Sequence, residues 1–155
     1  MTDPKHTNFD SDSFTTSLIS MFDNGSGAGK ALAVASTYYD TDGDEWHDGQ
    51  TEKAPRQEFN RLKIFYTIAG TAPTGIKLKV LTTIDGGTTE YTEDAIASIG
   101  TEVNVIDLIL TLPFAVGNHS VRIPIDPGLK YKVQFLREGG STDTSVLATG
   151  LFVRV

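Results

Sequence analysis

The densest run of side chains able to do chemistry lies between Asp40 and Asp48. It holds Asp40, Asp42, Asp44 and Asp48, with Gly43 and Glu45 between them. Carboxylates at every second position converge on a hard cation when a loop curls, and calcium takes roughly six to eight oxygen ligands. Counted from Asp40, a calcium-binding helix-loop-helix segment would need glycine where Glu45 stands and a bidentate glutamate where Thr51 stands. Asp40, Asp42, Asp44 and Asp48 are therefore a calcium candidate, set beside the plainer reading of a solvated acidic loop. Apart from that ion the sequence points to no cofactor.

Three other groups invite chemistry. Gly25-Ser26-Gly27-Ala28-Gly29-Lys30 superficially follows a phosphate-binding loop, but Asn24 occupies the required first glycine position and Ala31 the required hydroxyl position after the lysine. A flexible linker is the better reading. The histidines His6, His47 and His119 fall in an arm, a loop and a turn, with no nucleophile elbow beside them, so no hydrolytic triad is expected. Trp46, with Tyr38, Tyr39 and His47, is a candidate sugar-stacking platform; the alternative is that Trp46 plugs one end of the fold or sits in a subunit contact. No catalytic set emerges, and a non-enzymatic role is expected.

These residues hang on strands. Between Phe59 and Tyr91, Leu62, Ile64, Tyr66 and Ile68 share one parity, and Ile76, Leu78, Val80 and Ile84 share another. Strand side chains alternate between faces, so each run has one apolar and one polar side. The two runs, with a tight turn at Asp85-Gly86-Gly87 and the start of a third strand, read as one half-buried antiparallel sheet. Ala31 to Tyr39 reads as a first strand, although its alanines also permit a helix; Glu93 to Thr101 is ambiguous, with a short helix over Ala95, Ile96 and Ile99 as its reading; and Glu102 to Phe114 is near-continuously apolar, which suggests a strand covered on both faces or lying at an interface. Val121, Ile123 and Ile125 alternate with Arg122 and Pro124, and the proline predicts a sheet edge. Tyr131, Val133 and Phe135 alternate with Lys130, Lys132 and Gln134, and Leu151, Val153 and Val155 close the chain. The expected fold is all-β: about eight antiparallel strands in a β-sandwich of jelly-roll or related Greek-key type, over residues 31–155. Residues 1–30 read as an N-terminal arm, with an anchoring segment at Phe14 to Phe22.

Bulk properties narrow the partners. The 155 residues suit one domain, and a net charge of -7 without a basic stripe argues against nucleic acid and anionic lipid. Cysteine is absent, which removes disulfides and thiol chemistry. No apolar run approaches the roughly 20 residues of a membrane helix, and no signal-peptide core precedes Phe14, so synthesis in a cytoplasm is expected.

A polar arm, an acidic cysteine-free sandwich, the stretch Thr82-Thr83-Ile84-Asp85-Gly86-Gly87-Thr88, and a closing hairpin from Tyr131 to Arg137 and Gly139 to Asp143 together resemble tailed-bacteriophage virion proteins. Within these the chain is most similar to the head decoration, or cement, proteins. The resemblance implies a host-made protein on the capsid exterior, often a homotrimer, that clamps neighbouring major capsid protein subunits. It implies no site residue. In that setting Val103 to Phe114 would supply a trimer face and residues 1–30 the capsid contact. The alternative is a carbohydrate- or receptor-binding sandwich, such as a tail-fibre tip or an accessory module, with a glycan as partner.

Overall fold

The computed structural model describes residues 18–42, 46–48, 60–83, 89–92, 94–99, 102–107, 109–125 and 129–154. Among them there are strands and turns and no helix. The strands are β1 (Ile19–Phe22), β2 (Lys30–Ala31), β3 (His47–Asp48), β4 (Arg61–Ala69), β5 (Gly75–Thr83), β6 (Tyr91–Thr92), β7 (Asp94–Ile99), β8 (Glu102–Asp107), β9 (Ile109–Leu112), β10 (Gly117–Pro124), β11 (Lys130–Glu138) and β12 (Ser145–Val153).

They form two antiparallel sheets and a separate ribbon. Sheet A runs β1-β12-β4-β10, with β2 on the same edge of β12 as β1; sheet B runs β3-β11-β5-β6, with β9 beside β6 on the edge of β5. Each sheet is thus four lanes wide, and the sandwich has eight lanes, as the alternation predicts. Taken in chain order, the first lane (β1 and β2) pairs with the eighth (β12), and the second (β3) with the seventh (β11). The third (β4) pairs with the sixth (β10), and the fourth (β5) with the fifth (β6 and β9). That nesting is a long hairpin rolled up on itself, the jelly roll. Among the described residues, strands β7 and β8 pair only with each other, and they fall in sequence between the two parts of the fifth lane, β6 and β9.

Inward parity builds the core. Leu62, Ile64, Tyr66 and Ile68 of β4 meet Ile76, Leu78 and Val80 of β5, and Tyr131, Val133 and Phe135 of β11 meet Val146, Ala148 and Phe152 of β12, all essentially without solvent exposure. Burying each large side chain contributes about 1.5–3 kcal/mol. Gly150 is inward too. A Cβ there would lie 2.6 Å from Met21 Cγ, so the glycine makes room for β1 to cross. Met21 and Phe22 of β1 are buried in this core.

Several local expectations change. The runs either side of residues 70–74 are not hairpin partners: β4 lies in sheet A and β5 in sheet B. The joint is an arch, with Gly70 at φ 80° against the Asp143 carbonyl. The closing segment from Gly139 to Asp143 is a second arch, carrying the chain from sheet B to sheet A. The two arches pack together, Thr144 Oγ1 donating to the Thr71 carbonyl at 2.7 Å. Ala31 to Tyr39 is not a continuous strand. It pairs with β12 at Lys30–Ala31, bends at Ser36 (φ 56°), and reaches β11 at the Tyr39–Phe135 bridge, because it must pass from one sheet to the other. The described residues between Glu93 and Thr101 are the strand β7 and not a helix, and the apolar run from Glu102 holds β8 and β9, which belong to different sheets. Pro124 lies on β10, the edge of sheet A, where a missing amide costs nothing. The Asp85-Gly86-Gly87 turn lies outside the described residues.

Candidate functional site

The two outer faces of the sandwich differ. On sheet B, Lys132 has outward parity yet its side chain is only 3 % exposed. Its ammonium sits 2.7 Å from Glu90 Oε2, 3.5 Å from Asp40 Oδ1 and 4.8 Å from the centre of the Trp46 ring. Asp40 follows the Tyr39 bridge to Phe135 and Trp46 precedes the β3 pairing of His47 with Tyr131, which brings both beside Lys132 on the strand between. Asp40 Oδ1 also accepts from Gln134 Nε2 at 2.9 Å. Next to it, Lys79 Nζ stands 4.1 Å from the Tyr38 ring centre. Burial, helped by Glu138, pushes the Tyr38 phenol above its ordinary pKa. Three of the aromatic residues proposed as a sugar platform thus lie beside lysines: Trp46 beside Lys132, Tyr38 beside Lys79, and Tyr39 beside Lys30, whose Nζ is 5.8 Å from the ring centre.

Of the calcium candidates, Asp40 is engaged as described, and Asp42 Oδ1 pairs with Lys30 Nζ at 2.7 Å. Asp44 lies outside the described residues. Asp48 is paired through its main chain with Lys130, and its side chain lies outside the description. Among the described residues no three metal-ligating side chains converge. His47 lies on β3 at the edge of sheet B and His119 on β10 at the edge of sheet A, so the structure does not bring them together. His6 lies outside the described residues. His119 stacks on Tyr66, ring centres 5.2 Å apart, and its Nε2 is 2.7 Å from the Ala115 carbonyl. The Tyr66 hydroxyl donates to the Pro113 carbonyl at 2.8 Å, and burial pushes its pKa up to about 12.

The glycine-rich stretch after Phe22 is an ordered loop and not a linker. Asp23 is buried and organises it: its carboxylate accepts from the Gly25 amide at 2.9 Å, the Gly27 amide at 3.1 Å and Ser20 Oγ at 3.0 Å. Asn24 Oδ1 accepts from the Ser26 and Ala28 amides. The Gly25 amide above all, then Ser20 and Gly27, hold the Asp23 carboxyl below its ordinary pKa, against the opposing effect of burial. A carboxyl so lowered adds stability that is complete above its unfolded pKa and is lost as pH falls through the folded value. Asp23→Ala is expected to cost about 1–3 kcal/mol at neutral pH. In denaturant titrations at successive pH values, the difference between wild type and Asp23→Ala should shrink only in the acid range below the ordinary carboxylate pKa.

Sheet A presents the other outer face, and here the side chains are left open. Across its strands the outward residues form rows: Asn118, Thr67 and Leu147; Ser120, Phe65 and Thr149; Arg122, Lys63 and Leu151; Pro124, Arg61 and Val153. Phe65, near the centre, is 40 % exposed. Arg122, Ser120, Asn118 and Pro124 are also exposed, and Leu147, Leu151 and Val153 are half-buried. The rows hold three cations and no carboxylate, in a chain of net charge -7. Lys63 Nζ stands 5.9 Å from the Phe65 ring centre. Between Phe65, Leu147 and Thr149 on one side and Thr67, Asn118 and His119 on the other lies an open depression of about 260 Å³. Its lining includes no carboxylate. Exposed aromatic and arginine side chains with polar neighbours are the composition of a protein-binding surface. The alternation Arg61-Leu62-Lys63-Ile64-Phe65 carries the outward set in plain view. Which sheet would be left open is decided by the distant segment that crosses sheet B.

Comparison with protein-family models and with curated protein sequences finds no match to this chain.

Proposed function

We propose that this chain is a non-enzymatic structural virion protein that binds the outer surface of a capsid, as a homotrimer, and stabilises the head lattice in the manner of a decoration or cement protein. The observation that supports the reading best is the open outer face of sheet A on a closed jelly roll: a rigid body with a surface suited to gripping protein. All eight lanes are built from residues 19–153, so residues 1–17 are surplus to closing the sandwich. We assign the contact with the major capsid protein to those first residues. A ligand that binds only the assembled lattice stabilises it by mass action, and repetition over a symmetric shell multiplies modest contacts.

The test is co-sedimentation with empty heads assembled from the cognate tailed-bacteriophage major capsid protein. Saturable binding to heads, absent with unassembled capsid protein, is the expected result. Deleting residues 1–13 should leave the fold intact and lower head occupancy. Full occupancy after deletion would remove the arm from the contact. No binding to heads, together with binding on a glycan array, would overturn the reading in favour of a carbohydrate-binding module.

A further inference from the structure

We infer that, in the free protein, the chain's own residues 1–17 dock as a strap across the outer face of sheet A. Two observations carry this: where that segment joins the sandwich, and what the face lacks. Strand β1 lies at the edge of sheet A beside β12 and runs antiparallel to it, with Ile19 opposite Gly150. The chain ahead of Ile19 therefore arrives from the end of β12 that holds Leu151 and Val153. That is the end of the face where the rows Arg122, Lys63, Leu151 and Pro124, Arg61, Val153 lie. The three cations of the described face all stand in these two rows. Leu18, the residue before β1, is 62 % exposed.

Among the described residues no carboxylate pairs with Arg61, Lys63 or Arg122. Beside them Phe65 is exposed, and Leu147, Leu151 and Val153 are half-buried. Residues 1–17 supply both complements: Asp3, Asp10 and Asp12 against the single Lys5, and the rings of Phe9 and Phe14. Carboxylates on guanidinium and ammonium groups make the stronger, charge-assisted hydrogen bonds. Reach is ample. Asp12 can stand up to about 20 Å of extended chain from Leu18, whereas Arg122 on β10 lies about 14 Å from β1 at the usual strand spacing. Sheet B has outward lysines too, but Lys132 and Lys77 there already stand beside Glu90, Asp40 and Glu138. Tethering gives the segment an effective concentration of about a millimolar, so it outcompetes the same segment of a second copy at ordinary protein concentrations. The docking does not rest on the capsid reading. Under that reading, a head has to draw residues 1–17 off sheet A, and the strap covers Phe65 and the cations until it does.

The chain has no cysteine, so Ser11→Cys carries a single nitroxide label between Asp10 and Asp12. Broadening of amide resonances by the label is read by NMR on the full chain. The expected result is strong broadening at the Lys63, Phe65 and Arg122 amides of sheet A and weak broadening at the Lys77 and Lys79 amides of sheet B. Asp10→Lys with Asp12→Lys changes no residue of the described sandwich, and should lower the broadening on sheet A about threefold or more; raising sodium chloride from about 50 mM to about 500 mM should act in the same direction. Arg122→Glu, at an exposed position on the edge strand, should lower it from the other side of the contact. Isotope-labelled chain without the nitroxide, mixed with spin-labelled chain at natural isotope abundance, should show no broadening. Broadening in that mixture would give the face to a second copy and overturn the inference. Broadening that is equal on both sheets, or unchanged by Asp10→Lys with Asp12→Lys, would overturn it as well. No heads enter this experiment, so its failure and a failure to bind heads are separate results.

Discussion

Replacing Phe135 with alanine is expected to lower the stability of the fold by about 3–5 kcal/mol, the range for deleting a buried aromatic from a packed core. Phe135 is fully buried on β11 of sheet B. Its ring meets Phe22 of β1 edge-on, centres 4.9 Å apart, and Tyr66 of β4 at 6.0 Å, and both partners belong to sheet A. The side chain therefore ties the two layers together across the sandwich. Its main chain also carries the bridge to Tyr39, which guides the second lane onto the edge of sheet B. Phe135→Leu, which keeps most of the volume, should cost markedly less than alanine. Chemical denaturation checks both, with the midpoint falling and the slope unchanged. A loss below about 1 kcal/mol for alanine would mean that the layers are not held together at this point.

Arg137→Met is expected to cost about 3 kcal/mol, because it strands buried main-chain carbonyls that lose their donors. Arg137 is 5 % exposed and occupies an inward parity at the arch end of β11. Its guanidinium donates through Nε to the Leu32 carbonyl, through Nη1 to the Gly139 carbonyl and through Nη2 to the Ala33 carbonyl at 2.8 Å. One planar fork thus joins the segment that leaves sheet A after β2 to the arch that leads from β11 to β12. Lysine offers a single charged point and no fixed fork, so Arg137→Lys should recover only part of the loss. Hydrogen exchange supplies the local check. The Leu32 amide, bonded to the Thr144 carbonyl, and the Ser36 amide, bonded to the Arg137 carbonyl, should exchange faster in both variants. Protection unchanged at these amides would show that the crossing is held by its main-chain bonds alone.

The alternation of apolar and polar residues made much of the core readable. Leu62, Ile64, Tyr66 and Ile68, and likewise Tyr131, Val133 and Phe135, point inward as their spacing predicts, since the period of two is a property of the strand itself. Pro124 marked an edge for an equally local reason. Lys132 and Arg137 were not readable as buried. Lys132 sits at a position whose neighbours alternate outward, and what covers it arrives from Asp40, Trp46 and Glu90, far off along the chain. Arg137 is satisfied by carbonyls about a hundred residues earlier and at the following arch. Glycine-rich Asp23 to Lys30 looked like a linker because composition records freedom, whereas the order comes from one carboxylate that collects the loop's amides. The aspartates after Tyr39 suggested a metal; that Asp40 and Asp42 lie beside lysines was not readable, because only the folded chain brings those lysines near them.

What the sequence determined by itself is that this chain forms strands, where most of them turn inward, and that its layers close over an aliphatic and aromatic core; these follow from the backbone's two-residue repeat and the cost of wetting apolar side chains. Which strands share a sheet was decided by the tertiary structure. The five residues 70–74 between β4 and β5 serve a hairpin or an arch equally well, and the choice depends on Gly70 packing against Asp143 in the other arch. The tertiary structure also decided which face stays open. Tyr39 and His47 pair with the edge of sheet B and Asp40 and Trp46 lie against Lys132 on its outer side, and the side chains Arg61, Lys63, Phe65 and Arg122 on sheet A are left facing outward.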